Sequence, residues 1–375
     1  MPLGKAIVNA LNLGQGPFPT VENYFLFIGV CATNVGTLLY LNTDSDLDIE
    51  LGAADSELKR QVQAAKLNAG VGWACAAIPV ADGSLWDAPV DMAMNANVDI
   101  ECIVICTPVA AQADLTAMHA KAVDLQATYA RRVFILATAA PINPTPVSGQ
   151  SWAEYVAALN PLTDTLVAPL VQCVPYIYDD AVGILAGRLC NAQTSVADSP
   201  MRTATGSIVG QDQSTLPVDK DGIIYSGAHA KALNDLRFSV PAFYPGYPGV
   251  YWSDGEMLDV PLGDYLVVEN RRVIDKAARA VYLVLIGLIA NRSFNSSATG
   301  EAWAKSELMR PLRAMSKSTV FNGIPFPAEI NTPKDDAITI VWESKTVVKI
   351  FMKATPFDSP KELTANLMLD LSAPA

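Results

Sequence analysis

Along the first half of the chain, short apolar runs alternate with longer stretches of helical periodicity, and no other feature constrains the fold as tightly. Residues 24–31, 36–41, 72–80, 100–109, 132–137 and 171–178 read as buried strands, while 56–67, 113–130, 152–166 and 180–190 carry apolar side chains at helical spacing. A strand that is apolar at nearly every position needs cover on both faces, and helices between the strands supply it. The expected core is therefore an α/β layer around a mixed, largely parallel sheet. From about residue 191 to 265 the rhythm breaks into short pieces separated by Pro, Gly and Asp, which predicts a loop-rich outer region. Beyond it, 267–290 and 301–317 read as helices and 337–343 and 345–353 as strands, a compact α+β unit. The expected organisation is an N-terminal arm over 1–22, a core with its loop-rich region over 23–250, a C-terminal α+β domain over 251–356 and a C-terminal arm over 357–375.

Composition narrows the function classes. Of the 375 residues 51% are apolar and 17% charged, against about 25% charged in a typical domain, so a chain this greasy folds and leaves apolar surface that other chains can cover. A formal charge of −12 excludes a protein that coats duplex nucleic acid through bulk positive charge. Cys31, Cys75, Cys102, Cys106, Cys173 and Cys190 are scattered through strand-like surroundings and read as reduced core residues of a protein made in a cytoplasm. The opening residues lack a signal-peptide pattern, and the most hydrophobic run, 280–290, is too short to cross a bilayer. Neither export nor a membrane span is expected.

The last residues carry a distinct signal. Leu363, Ala365, Leu367, Leu369 and Leu371 fall on one side of an extended chain, opposite Glu362, Thr364, Asn366 and Asp370, with Met368 the exception. Burying such a leucine is worth roughly 1.5–3 kcal/mol, whereas ordering the backbone costs about 1–2 kcal/mol per residue. Alone, the segment hardly stays ordered; it needs a sheet edge, in its own fold or in a neighbour. Leu3, Ile7 and Leu11 pose the same question more weakly at the other end.

Catalytic and metal-binding patterns are sparse. His119 and His229 lie far apart, neither with a second imidazole at zinc spacing, and Cys102 and Cys106 point to one face of a strand but stand too far apart to chelate. Asp44, Asp46 and Asp48 begin like a calcium loop, but Ile49 occupies the glycine position and Asp55 the final glutamate position, so a solvated acidic loop is expected. No nucleotide-binding glycine motif and no nucleophile elbow occurs, and no cofactor is expected.

Several separated blocks form a recognisable set. They are Tyr251-Trp252-Ser253-Asp254-Gly255, the stretch from Glu269 through Arg271, Arg272 and Asp275 to Arg279, Asn291-Arg292-Ser293-Phe294-Asn295-Ser296, Met309-Arg310-Pro311-Leu312-Arg313, Pro333-Lys334-Asp335-Asp336, and Ala365-Asn366-Leu367-Met368-Leu369-Asp370-Leu371. In this order they resemble the contractile tail sheath proteins of bacteriophages, closest to a short sheath family of Mu-like phages and prophages. Upstream, Phe25-Leu26-Phe27-Ile28-Gly29 is similar to the opening of sheath cores. The chain is short for a sheath, with little room for a large outward domain.

The resemblance implies a virion tail component, not an enzyme, assembled in the bacterial cytoplasm from six-fold rings stacked helically around an inner tail tube. It implies as partners further copies of the chain, the tube, and baseplate and tail terminator proteins, with no direct contact to nucleic acid. The C-terminal unit becomes a sheath-polymerisation domain, and the arms, through Leu363, Ala365, Leu367, Leu369 and Leu371 and through Leu3, Ile7 and Leu11, are expected to pair with sheets of neighbouring subunits. Gly14, Gly16 and Pro17 on one side and Pro356 and Pro360 on the other are expected hinges. Arg310, Arg313 and Lys317 share one helical stripe in an acidic protein and are expected to face an acidic tube, with Trp303, Leu308 and Leu312 packing inward. Two alternatives stand beside this reading: a cytosolic α/β enzyme without a recognisable motif, and another self-assembling virion component such as a baseplate or capsid subunit.

Overall fold

A computed structural model describes residues 21–321 and 323–368. The apolar runs become β1 (Phe25–Val30), β2 (Leu39–Asn42), β3 (Ala74–Val80), β4 (Cys102–Val109), β5 (Phe134–Ala139) and β6 (Val171–Pro175). They form one sheet in the order β2-β3-β1-β4-β5-β6, parallel throughout except for β2, which runs antiparallel to β3. The helical stretches become α2 (Glu57–Ala69), α4 (Gln112–Tyr129), α5 (Trp152–Thr163) and α6 (Ala181–Leu189), and two further helices, α1 (Leu47–Glu50) in the acidic loop and α3 (Asp87–Asn95), join them. Starts are set by side-chain caps: Ser56 accepts from Lys59 N at α2, and Ser151 with Glu154 forms a capping box at α5.

Side chains alternate along the strands and so divide the core. Leu26, Ile28, Ile103, Ile105 and Ile135 meet α3, α4 and α5 on one face, while Phe25, Phe27, Cys102, Val104 and Phe134 meet α1, α2 and α6 on the other. All six cysteines are buried and unbridged, and Cys102 and Cys106 share the second face. Helices α2 and α6 touch backbone to backbone, because a Cβ on Gly183 would lie 2.2 Å from Gln61 O and one on Gly187 2.4 Å from Ala65 O.

The loop-rich region contains α7 (Gly227–Asp235) and the paired two-residue strands β7 (Pro241–Ala242) and β8 (Tyr251–Trp252); Ala230 and Leu233 join the first core face and Trp252 the second. Neither α3 nor α7 was assigned from the sequence: α3 carries a proline and two aspartates in its first turns, and α7 buries only Ala230 and Leu233. The outer edge of β6 is closed by main-chain contacts from Ser239 N to Cys173 O and from Leu258 N to Val171 O, both 3.0 Å.

The C-terminal unit comprises α8 (Val268–Leu288), α9 (Ala298–Met315), the hairpin β9 (Thr319–Phe321) and β10 (Ile324–Phe326), and the hairpin β11 (Ile338–Trp342) and β12 (Val348–Met352). Its separate core joins Val273, Ala277, Val281 and Leu288 of α8 to Leu308, Met309 and Leu312 of α9 and to Ile338. Trp252, Met257 and Val268 instead pack on the large sheet. Residues 252, 257 and 268 thus help to close the first core. No helix among the described residues is long and apolar enough to cross a membrane.

Candidate functional site

The crevice where an open parallel sheet usually binds a small molecule lies at the carboxyl ends of β1 and β4, where the chain switches direction. Here the protein fills it with its own groups. Glu57 Oε2 accepts from Thr107 Oγ1 at 2.6 Å and from Val30 N at 3.2 Å, and a Cβ on Gly83 would collide with Thr107. His229 stacks on Trp152, with ring centroids 4.9 Å apart, and pairs with Ser226; burial holds its pKa below the ordinary value. His119 lies on α4, away from that pair, and burial and the charge of Arg271 depress its pKa. Asp46 caps α1 and Asp48 pairs with Lys59 at 2.6 Å, so the acidic loop serves local structure.

The unusual surface lies at the C-terminal end. Leu363 is 82% and Leu367 100% exposed, Ala365 and Met368 are also exposed, and residues 362–368 join no strand of the described chain. Leu369 and Leu371 lie outside the described residues, as do Leu3, Ile7, Leu11, Gly14, Gly16 and Pro17. The same unit ends in the two-stranded sheet β11–β12, whose register pairs Ile338 with Met352, Ile340 with Ile350 and Trp342 with Val348. These pairs face inward; Thr339, Val341, Lys349 and Phe351 face out. Neither outer edge of this hairpin has a strand partner among the described residues. A bare alternating arm and a two-stranded sheet, each short of strands, thus belong to one chain.

The root of the arm is strapped to the body. Pro356 bridges Ile330, Asn331 N donates to Thr355 O at 2.8 Å, and five residues past Pro356 the ammonium of Lys361 reaches Asp254 and Glu269. Pro356 and Pro360 therefore flank a segment held at both ends.

On α9, Ser297 caps the start, and Ala304, Leu308, Met309, Leu312 and Met315 form the buried stripe. Arg310, Arg313 and Lys317 stand exposed around a shallow depression with Ser306, Glu307 and Ala314; Glu307 approaches Arg310 only to 3.7 Å. Leu308 and Leu312 pack inward as expected, but Trp303 is 37% exposed. The reason is geometric: seven residues span close to two turns, so Trp303 sits above Arg310 on the outer stripe, about 100° from the buried Ala304.

The block from Glu269 to Arg279 has a use that its sequence did not reveal: it clamps the two units together. Arg272 is fully buried. Its Nε donates to Glu101 Oε1 at 2.7 Å, Nη2 to Glu101 Oε2 at 2.9 Å and to Asn23 Oδ1 at 2.8 Å, and Nη1 to Leu189 O at 3.1 Å. Burial alone would raise the Glu101 pKa, but the charge and hydrogen bonds of Arg272, with Arg279 and Asn23 N–H, hold it below the usual carboxylate range. Arg271 pairs with Asp275, and Arg279 reaches Glu22 at 2.9 Å and Arg132 O at 3.1 Å. These polar residues are helix-borne and buried, a combination visible only once α8 lies against the sheet.

Known proteins resemble this chain over nearly its whole length. The family described as DUF2586, N-terminal domain matches residues 3–256, and DUF2586, C-terminal domain matches 264–372. A protein of Haemophilus phage HP1 (strain HP1c1) bearing the name "Putative tail sheath protein" is 45% identical over 369 residues, 98% of each chain. Among solved structures, the sheath complex of an extracellular contractile injection system (PVC) in its contracted state shares the fold with a TM-score of 0.60 at 12% identity, covering 99% of this chain and 98% of that one. The sheath tail protein of Desulfitobacterium hafniense does so with a TM-score of 0.54 at 12% identity, covering 94% and 97%.

Proposed function

We infer that this chain, which belongs to the DUF2586 family, is the structural subunit of a phage contractile tail sheath, a polymer of the virion tail that shortens around an inner tube and drives it through the host envelope. One observation carries the reading: an alternating apolar arm, bare on every described residue past Lys361, on a chain that also offers a two-stranded sheet with both edges unpaired among the described residues. Laid along β11 or β12 of another copy, residues 363–371 would supply main-chain hydrogen bonds and bury leucines that are otherwise wet. Leu3, Ile7 and Leu11 of a further copy would take the opposite edge. A two-stranded hairpin is marginal alone, whereas three or four strands over the α8–α9 core are not.

Such pairing lets subunits stay linked while they move. The rings are six-fold and stacked, the arms tether ring to ring, and rigid bodies turn about Gly14, Gly16 and Pro17 and about Pro356 and Pro360. No chemical step is required; the extended polymer is a higher-energy state held until its end is triggered, and each ring that rearranges favours the next. The cations Arg310, Arg313 and Lys317 face an acidic tube, in a contact polar enough to break. Baseplate and terminator proteins hold the two ends, and assembly takes place in the host cytoplasm.

Deleting residues 362–375, which spares Lys361, tests the reading. The full chain is expected to form hollow polymers in negative-stain microscopy, and the shortened chain to stay monomeric with unchanged far-UV circular dichroism. Polymers that survive the deletion refute it, and a collapse of the circular dichroism would mean that the arm completes its own domain.

A further inference from the structure

The anchor at the root of the C-terminal arm has the construction of a binding site. Lys361 Nζ lies 2.6 Å from each carboxylate oxygen of Asp254 and 2.7 Å from Glu269 Oε1. Asp254 is 8% and Glu269 5% exposed, and Glu269 Oε2 is buried without a hydrogen-bond partner. Asp254 is fixed in turn by Ser199 Oγ at 3.3 Å and Gly255 N at 2.8 Å. The backbone beside it is tightly packed, since a Cβ on Gly255 would lie 2.4 Å from Val268 and 3.0 Å from Pro200. The one ammonium of Lys361 thus faces two carboxylates that sit largely out of water.

We propose that Asp254 and Glu269 form a socket for a primary ammonium group, and that Lys361 in this socket latches the hinge of the C-terminal arm. With the latch closed, residues 356–360 are pinned at Ile330 and at the socket, and the arm swings only from Glu362 onward. Withdrawal of Lys361 leaves buried carboxylates without a counter-charge, which holds the latch shut until a neighbour pulls on the arm. Once it opens, the segment from Pro356 to Pro360 becomes free to turn. The proposal rests on the arm serving as the intersubunit tether, and deepens that reading by setting where its pivot lies.

Because the six native cysteines are buried, a spin-label pair at Leu363→Cys and Val71→Cys reports the arm against the body in the monomer, at concentrations too low for polymers to form. With Lys361 intact we expect one narrow distance population; with Lys361→Ala we expect a broad one. Ethylammonium, set against sodium at equal ionic strength, should raise the Tm of Lys361→Ala by refilling the socket, leave the full-length parent unchanged, and not restore the narrow distance. Unchanged distances in Lys361→Ala, or no difference between ethylammonium and sodium, overturn the proposal. If polymers of the parent still vanish on deleting residues 362–375, the tether survives that failure. Should the variant fold poorly, Lys361→Ala combined with Glu269→Gln removes one uncompensated charge, and the same distance outcomes decide.

Discussion

Replacing Arg272 by methionine probes the junction on which force transfer between the two units depends. The substitution removes four hydrogen bonds, two to Glu101 and one each to Leu189 O and Asn23 Oδ1, and leaves Glu101, 1% exposed, with only Asn23 N–H for company. Stripping one partner from a buried, fully hydrogen-bonded pair costs about 3–5 kcal/mol, because the remaining charge stays desolvated. Replacing both, as Arg272→Met with Glu101→Leu, should recover most of that loss, since apolar isosteres of a buried pair are often neutral. Urea unfolding followed by circular dichroism measures both variants, and the pH dependence gives a second check. A carboxylate held below its usual value contributes stability that is present at neutral pH and is lost as pH falls through its folded value. The acid limb of stability should therefore weaken in Arg272→Met. A single-variant loss below about 1 kcal/mol, or a double variant as damaged as the single, would refute the argument that this pair clamps the units.

Other outcomes follow from the same geometry. Reversing charge at Arg310 and Arg313, both exposed, should leave Tm nearly unchanged yet prevent extended tails from forming around the tube; normal tails in electron micrographs would remove the stripe from the tube contact. Gly187→Val drives a side chain into the Ala65 carbonyl and should cost about 1–3 kcal/mol or more, whereas Gly287→Ala, with open space at its Cβ, should gain up to about 1 kcal/mol; thermal melts decide between them. Burial, with Asp254 and Glu269 beside it, raises Glu256 to about 7 against the opposing pull of Lys361 and Arg237. The folded state then holds that proton more tightly than the unfolded chain, so this group's contribution to stability falls as pH rises from its ordinary value toward 7. Glu256→Gln should flatten that slope and raise Tm at pH 8; a slope identical to the parent's would contradict the assignment.

Legibility followed the size of the signal. Strands β1 to β6 could be read because each is apolar at almost every position, and α2, α4, α8 and α9 because each runs long enough to repeat its period. Helices α3 and α7 were silent, α3 with two carboxylates and a proline among its nine residues and α7 with only Ala230 and Leu233 buried, whereas α6, equally short, is apolar at almost every position. Trp303 misled because bulk suggested burial, while phase along α9 sets it over Arg310. The alternation of the C-terminal arm was plain, yet Lys361 at its root looked like any other lysine. Its partners Asp254 and Glu269 lie 107 and 92 residues away in sequence, and no local pattern encodes that meeting.

What the sequence determined alone is whatever depends on near neighbours: which segments are strands, which helices are amphipathic, and that a leucine-bearing arm wants a sheet edge. Only the tertiary structure decided that Arg272 meets Glu101, that Gly183 and Gly187 let two helices touch, and that the described arm leaves its own body unpaired. The physical reason is range. Hydrophobic periodicity is written into consecutive residues, whereas a buried charge, a close backbone contact or an open edge is defined by which distant segments the folded core brings together.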